Sequence, residues 1–184
     1  MIPNMPTHTA NSYNYLSHNP AQTRQLGMRL GMYLQPGDVI CLQGELGAGK
    51  TTFVQGMALG WGSVDAVSSP TFVLVNVYRR AEGGQLFHFD TYRVESAAEA
   101  EELDLDTMLN SGPLIIEWPE RMSSVLPEER LWIKLDYQLE GSAGQALGDA
   151  DFELRAITLH AVGDRYMRLL NELFQSNHTP NVLA

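Results

Sequence analysis

The stretch Gly44-Glu45-Leu46-Gly47-Ala48-Gly49-Lys50-Thr51 constrains this chain more tightly than any other part of it. It meets the pattern G-x-x-x-x-G-K-[ST] at every fixed position. A short apolar, β-branched run, residues 38–43, precedes it, and a helical stretch, 50–60, follows and closes on Gly60. Glycines at 44, 47 and 49 let the backbone curl until several N–H groups converge on phosphate oxygens, aided by the positive end of the helix dipole. Lys50 brings a point charge to the β and γ phosphates. Thr51 offers its hydroxyl to Mg²⁺, an ion that prefers octahedral oxygen ligands and keeps several waters. The expected nucleotide-binding set is Gly44, Glu45, Leu46, Gly47, Ala48, Gly49, Lys50, Thr51 and Thr52, with Lys50 also catalytic. A glycine-rich turn that matches by chance rarely falls between a strand and a helix.

A second feature raises a question. Leu114, Ile115 and Ile116 form an apolar strand that ends at Glu117, and Trp118-Pro119 forbids an ordinary continuation. An ionised carboxylate buried without a partner is costly, so something must meet Glu117. In phosphate-loop folds a strand ending beside the loop carries an acid that holds Mg²⁺, directly or through water. Glu117 is therefore the candidate metal ligand beside Thr51, although the acid is more usually Asp. The alternative is a strand-end glutamate facing solvent.

The rest of the chain is ordinary in composition, with 184 residues, 44% of them hydrophobic. That length fits one domain over 1–184, with 1–9 and 176–184 expected to be loose. No apolar run is long enough for a membrane span, and the N-terminus lacks a basic stretch followed by an apolar one, so no secretory signal is read. The one cysteine, Cys41, excludes an internal disulfide and fits a reducing cytoplasm. The net charge of −10, with 12 scattered Lys and Arg, argues against unaided binding of RNA or DNA. Any anion must be held locally, against the overall field. Asn19-Pro20 is expected to open a helix whose Gly27 and Gly31 need close packing or function to explain them. Residues 71–80 and 84–90 read as a hairpin around Gly83-Gly84, 95–109 as a helix with a Ser96/Glu99 capping box, and 130–139 with 151–162 as a later strand pair. The Gly- and Ala-rich 140–150 reads as a mobile loop, and a last helix starts from an Asp164 cap.

Several nucleotide-protein classes are tested by absence. There is no N-K-x-D for guanine and no arginine cluster or lid of the nucleotide-kinase kind. The G-G-Q at 83–85 falls between two strands rather than capping a helix. Three stretches then occur in order: GELGAGKTTF, SSPTFVLVNVY with HFDTYR, and LIIEWPE. On these the chain resembles the bacterial TsaE (YjeE) family, from about Leu16 to about Tyr137. The resemblance implies an α/β phosphate-loop NTPase fold, with a mostly parallel but mixed central sheet flanked by helices. It implies binding of ATP and Mg²⁺, and an accessory ATPase role in forming threonylcarbamoyladenosine in tRNAs that read codons starting with adenine. The partners implied are a TsaD-like transferase and its TsaB-like relative, with tRNA met only through the complex. By position, Thr51 and Glu117 would hold Mg²⁺, Gly47 to Lys50 would cradle phosphate, and Pro20 would lie near the adenine. A small-molecule kinase and a nucleotide-gated binding module remain the alternatives.

Other residues have expected roles. Ser69, Pro70 and Thr71 sit where a switch segment would approach the γ phosphate, or simply turn into a strand. Asp90 is the candidate to orient or deprotonate the attacking water, with hydrogen bonding to metal waters as the alternative. Arg93 is set between stabilising the transferred phosphoryl group and pairing with an acid of 95–106. His88 reads as a packed strand histidine, and Trp118 as a cover for the site, a partner contact or a core residue. The six acids of 95–106 read as a solvated helix face or as a dock for a basic partner.

Overall fold

The computed structural model describes residues 7–9, 11–68, 74–94, 99, 104–138 and 154–175. Eight strands form one sheet in the order β1-β2-β8-β7-β3-β6-β5-β4. They are β1 (Thr7–Thr9), β2 (Ser12–Ser17), β3 (Val39–Gln43), β4 (Val75–Arg79), β5 (Gln85–Asp90), β6 (Leu114–Glu117), β7 (Arg130–Gln138) and β8 (Leu154–Val162). The helices are α1 (Pro20–Gly31), α2 (Lys50–Trp61), α3 (Leu105–Ser111) and α4 (Asp164–Gln175), with short 3-10 turns at Thr91–Arg93 and Pro119–Met122.

The sheet is parallel at its centre and antiparallel at its margins. Strands β7, β3, β6 and β5 run the same way, so their carboxyl ends share one edge. Strand β8 runs against β7, β2 against β8, and β4 against β5. The same edge therefore receives the end of β2 at Ser17 and the start of β8 at Leu154. In open α/β sheets ligands sit outside these carboxyl ends.

Alternation along the strands divides the core into two layers. Ile40, Leu42 and Ile115 face α1, α2 and α4 in the larger cluster. Val39, Cys41, Phe87, Phe89, Leu114 and Ile116 face the other way, against Leu105 and Met122. The central strands are buried on both faces, which is why they read as continuous apolar runs.

Most elements lie where the sequence places them. Asn19 caps α1, its side chain accepting from the Gln22 N–H at 2.9 Å. The expected stop of α2 at Gly60 is corrected: the helix runs to Trp61 and Gly62, at φ 93°, terminates it. Strand β2 and the short β1, inside the stretch expected to be loose, were not foreseen. The Ser96 half of the expected capping box, the mobile loop 140–150 and the tail 176–184 lie outside the described residues. The expected single helix over 95–109 is corrected at Asp104, which is not helical and caps α3, accepting from the Thr107 N–H at 3.2 Å.

Gly60 has another use. A Cβ at Gly27 or Gly31 would strike the Phe53 or Met57 carbonyl, and one at Gly56 or Gly60 would strike the Arg24 or Met28 carbonyl. Since Arg24 meets Gly56 and Met28 meets Gly60, α1 and α2 run in the same direction with backbones touching. Their amino ends therefore open at the same edge. Gly31→Ala and Gly60→Ala are each expected to cost at least about 1–3 kcal/mol by overpacking, read as a lower midpoint in urea. Burial pushes the Cys41 thiol up to about 12, with Arg130 opposing and Glu120 adding to the rise. The thiol should thus ignore a disulfide reagent at about pH 8 until denaturant is added, a difference that absorbance reads directly.

Candidate nucleotide site

Strand β3 delivers the loop. After Gln43 the chain passes through Gly44, Gly47 and Gly49 at φ 154°, 83° and 99°, where L side chains are strained. Gly49 then caps α2, whose first residue is Lys50. Lys50 is 5% exposed, and its Nζ donates to Gly44 O at 2.8 Å and Glu45 O at 3.0 Å. Burial pushes this ammonium below its ordinary range, against the pull of Glu117, Asp90 and Glu120. Thr51 and Thr52, both half-buried, follow in the first turn.

Strands β6 and β5 deliver the acids. In the ladder Leu42 pairs with Glu117, and Glu117 pairs with Asp90. The two carboxylates thus leave neighbouring strands beside the strand that feeds the loop, about 5 Å apart at the backbone. Asp90 caps the turn that follows, accepting from the Tyr92 N–H at 3.1 Å. Glu117 is 4% exposed, so the question of its partner is sharp. His88 answers it: Nε2 donates to Glu117 Oε1 at 2.9 Å, with the imidazole fully buried. The other ring nitrogen lies 3.3 Å from the Tyr78 hydroxyl, which donates to Ser68 O at 3.0 Å. A line of close polar contacts therefore runs from Glu117 through His88 and Tyr78 to the backbone just before the expected switch. His88 is packed, as read, but it is also the carboxylate's holder.

Trp118 closes the same edge. It is the only non-glycine with positive φ among the described residues, at 61°. Its N–H donates to Leu42 O at 3.1 Å, and its C=O accepts from Thr91 Oγ1 at 2.7 Å. The strained backbone aims the indole at Lys50, whose Nζ lies 4.1 Å from a ring centroid, and Tyr92 stacks at a tilt behind it. Trp118 is half-buried, and the contact that the structure gives its ring on this side is with Lys50.

The other expected residues divide. Pro20 opens α1 at this edge, reached from β2 through Ser17, whose hydroxyl donates to Asn19 O at 2.9 Å. Arg93, itself exposed, ends the turn after Asp90. Ser69, Pro70 and Thr71 lie outside the described residues. Two residues went unnoticed in the sequence: Tyr137, whose hydroxyl donates to Gly47 O, and Arg155, whose Nε donates to Ala48 O at 3.1 Å. Neither belongs to a local motif, and only the β7–β8 pairing carries Arg155 to the loop.

A profile described as "Threonylcarbamoyl adenosine biosynthesis protein TsaE" matches residues 17–144. The chain belongs to the TsaE family. A Streptomyces coelicolor TsaE is 40% identical over 145 residues, 78% of this chain and 93% of that relative. A Bacillus subtilis TsaE is 37% identical over 164 residues, 89% and 94% of the two chains. The crystal structure of Bacillus subtilis YdiB superposes with a TM-score of 0.69 at 32% identity, covering 92% of this chain and 99% of that one. The fold is the phosphate-loop NTPase fold that the TsaE resemblance implied, α/β with helices on both faces of the sheet.

Removing the imidazole should leave Glu117 buried without its donor. His88→Ala is expected to lose about 1–3 kcal/mol in chemical denaturation. Paired with Glu117→Gln, the two losses should sum to more than the double variant shows, because they break the same contact.

Proposed function

We propose that this TsaE-family chain is a Mg²⁺-dependent ATPase that supports formation of threonylcarbamoyladenosine in tRNA. The observation that carries this reading is the meeting, at one sheet edge, of a buried loop lysine with carboxylates from two adjacent strands. Lys50 is already desolvated and held by carbonyls that a polyphosphate can replace as partners. Gly44 to Thr52 would cradle the phosphates, and Pro20 would border the adenine at the neighbouring helix start.

The donor set suits magnesium. Among the described residues no group of three or more His, Cys, Asp and Glu is placed to hold a metal. The Thr51 hydroxyl and Glu117 carboxylate are an all-oxygen pair that leaves the remaining positions to phosphate and water, which is how Mg²⁺ is commonly bound. When bound, Mg²⁺ neutralises charge on the β and γ phosphates. Asp90 would orient or deprotonate the attacking water, Arg93 would lie close enough to stabilise the transferred phosphoryl group, and Trp118 would shield the Lys50 side from solvent. Ser69, Pro70 and Thr71 would respond to the γ phosphate.

The partners follow from charge and family. With a net charge of −10 the chain would meet tRNA only through a TsaD-like transferase and a TsaB-like partner, with the acidic 95–106 stretch as one dock. Among the described residues no helix is long and apolar enough to cross a membrane. The cytoplasm, where tRNA and these partners would be met, is the proposed location.

Calorimetric titration of ATP with and without Mg²⁺ tests the site. Lys50→Ala should abolish measurable binding, and Glu117→Gln should remove the part that depends on Mg²⁺. Asp90→Asn should bind ATP but hydrolyse it about 10²-fold more slowly. Intact hydrolysis in Asp90→Asn would move the base elsewhere. Hydrolysis unchanged by the transferase pair, or robust phosphoryl transfer to a small metabolite, would overturn the function itself.

A further inference from the structure

The loop from Gly44 to Gly49 has a need that phosphate cannot meet. In the nucleotide reading its N–H groups serve an anion, while its carbonyls need donors of their own. Lys50 supplies two of them, at Gly44 O and Glu45 O. In the reading proposed above, that lysine is drawn to the phosphates, so these bonds are given up when nucleotide arrives.

Two further carbonyls, of Gly47 and Ala48, are held from a different part of the chain. Tyr137, near the end of β7, donates its hydroxyl to Gly47 O, and Arg155, at the start of β8, donates from Nε to Ala48 O at 3.1 Å. Tyr137 and Arg155 face each other in the β7–β8 register, and the guanidinium lies 5.3 Å from the phenol ring centroid. The C=O and N–H of a trans peptide point opposite ways, so each held carbonyl fixes the following amide. Gly47 O thus sets the Ala48 N–H, which closes the turn on Glu45 O at 3.1 Å, and Ala48 O sets the Gly49 N–H. A Cβ at Gly49 would stand 3.1 Å from Arg155 Nε, so the arginine rests directly against the loop.

Charge points the same way. Arg155 is 5% exposed, so its cation is poorly screened by water. In a chain of net charge −10, a second buried cation touching the loop lowers the cost of bringing in a polyphosphate. Arg155 lies beyond residues 17–144, which the family profile matches.

We propose that Arg155, with Tyr137, is a positioning residue of the nucleotide site, so that the β7–β8 hairpin holds the loop in its phosphate-accepting shape and sets a cation against it. This rests on the nucleotide reading of the loop. ADP is titrated calorimetrically without Mg²⁺ into the full chain and into Arg155→Gln, Arg155→Lys and Tyr137→Phe. Leu169→Ala, a core change in α4 away from the loop, matches any loss of stability. Arg155→Gln should weaken binding about tenfold, with Arg155→Lys recovering part of it through the restored charge. Tyr137→Phe, which removes one hydroxyl from an exposed ring, should weaken binding about two- to fivefold. Leu169→Ala should lower the Tm while leaving the affinity alone.

Unchanged affinity in the Arg155 and Tyr137 variants, or an equal loss in Leu169→Ala, would overturn the proposal and leave the nucleotide site standing. If Arg155→Gln fails to fold, Arg155→Lys and Tyr137→Phe still decide the matter. A native chain that binds no nucleotide would overturn both readings.

Discussion

The ladder pairing of Leu42 with Glu117, and of Glu117 with Asp90, is the constraint on which the site depends. Parallel strands space their side chains by backbone hydrogen bonds, so the separation of the two carboxylates does not rely on loops. A one-residue slip of β6 would carry Glu117 to the other face, away from α2 and His88, and put Ile116 in its place. The carboxylate would then enter the apolar layer of Val39, Phe87 and Met122 without its donor, which makes that slip expensive. The chemistry at the edge is therefore held by the same packing that holds the core.

Glu117 shows why the apolar run before it can be so continuous. A carboxylate at 4% exposure survives only if donors meet it. His88 does so with a ring that is itself clamped between Glu117 and Tyr78, all three facing the α2 side of the sheet. This contact is independent of any ion, so one carboxylate oxygen is oriented by the protein alone.

The local parts of the site were legible and the long-range parts were not. The loop, the strand before it and the helix after it lie within some twenty consecutive residues, and their glycines, lysine and apolar runs announce themselves. Glu117 was readable because a charged residue ending an apolar strand is anomalous. His88 looked like core because a strand of alternating side chains hides which neighbour each one faces. Arg155 was opaque for a stronger reason. Its approach to Ala48, 107 positions away in the chain, requires β8 to lie beside β7 and β7 beside β3, a placement set by two ladders that no local pattern announces. Strand β2 was missed because Ser12–Ser17 is polar and marginal in sequence, and becomes a strand by pairing with β8. Gly60 reads as a terminator in the sequence, where a glycine that ends a helix looks the same as one that admits a neighbour.

The seam between α1 and α2 has a mechanical consequence. Side-chain interfaces let helices slide by rotamer adjustment, but here carbonyl oxygens sit where four glycine hydrogens leave room, and no rotamer exists to adjust. The two helices behave as a single stiff beam, with the starts of both at the sheet edge. Pro20 and Lys50 are thus tied to each other through backbone contact, so that a displacement of one helix start would carry the other with it.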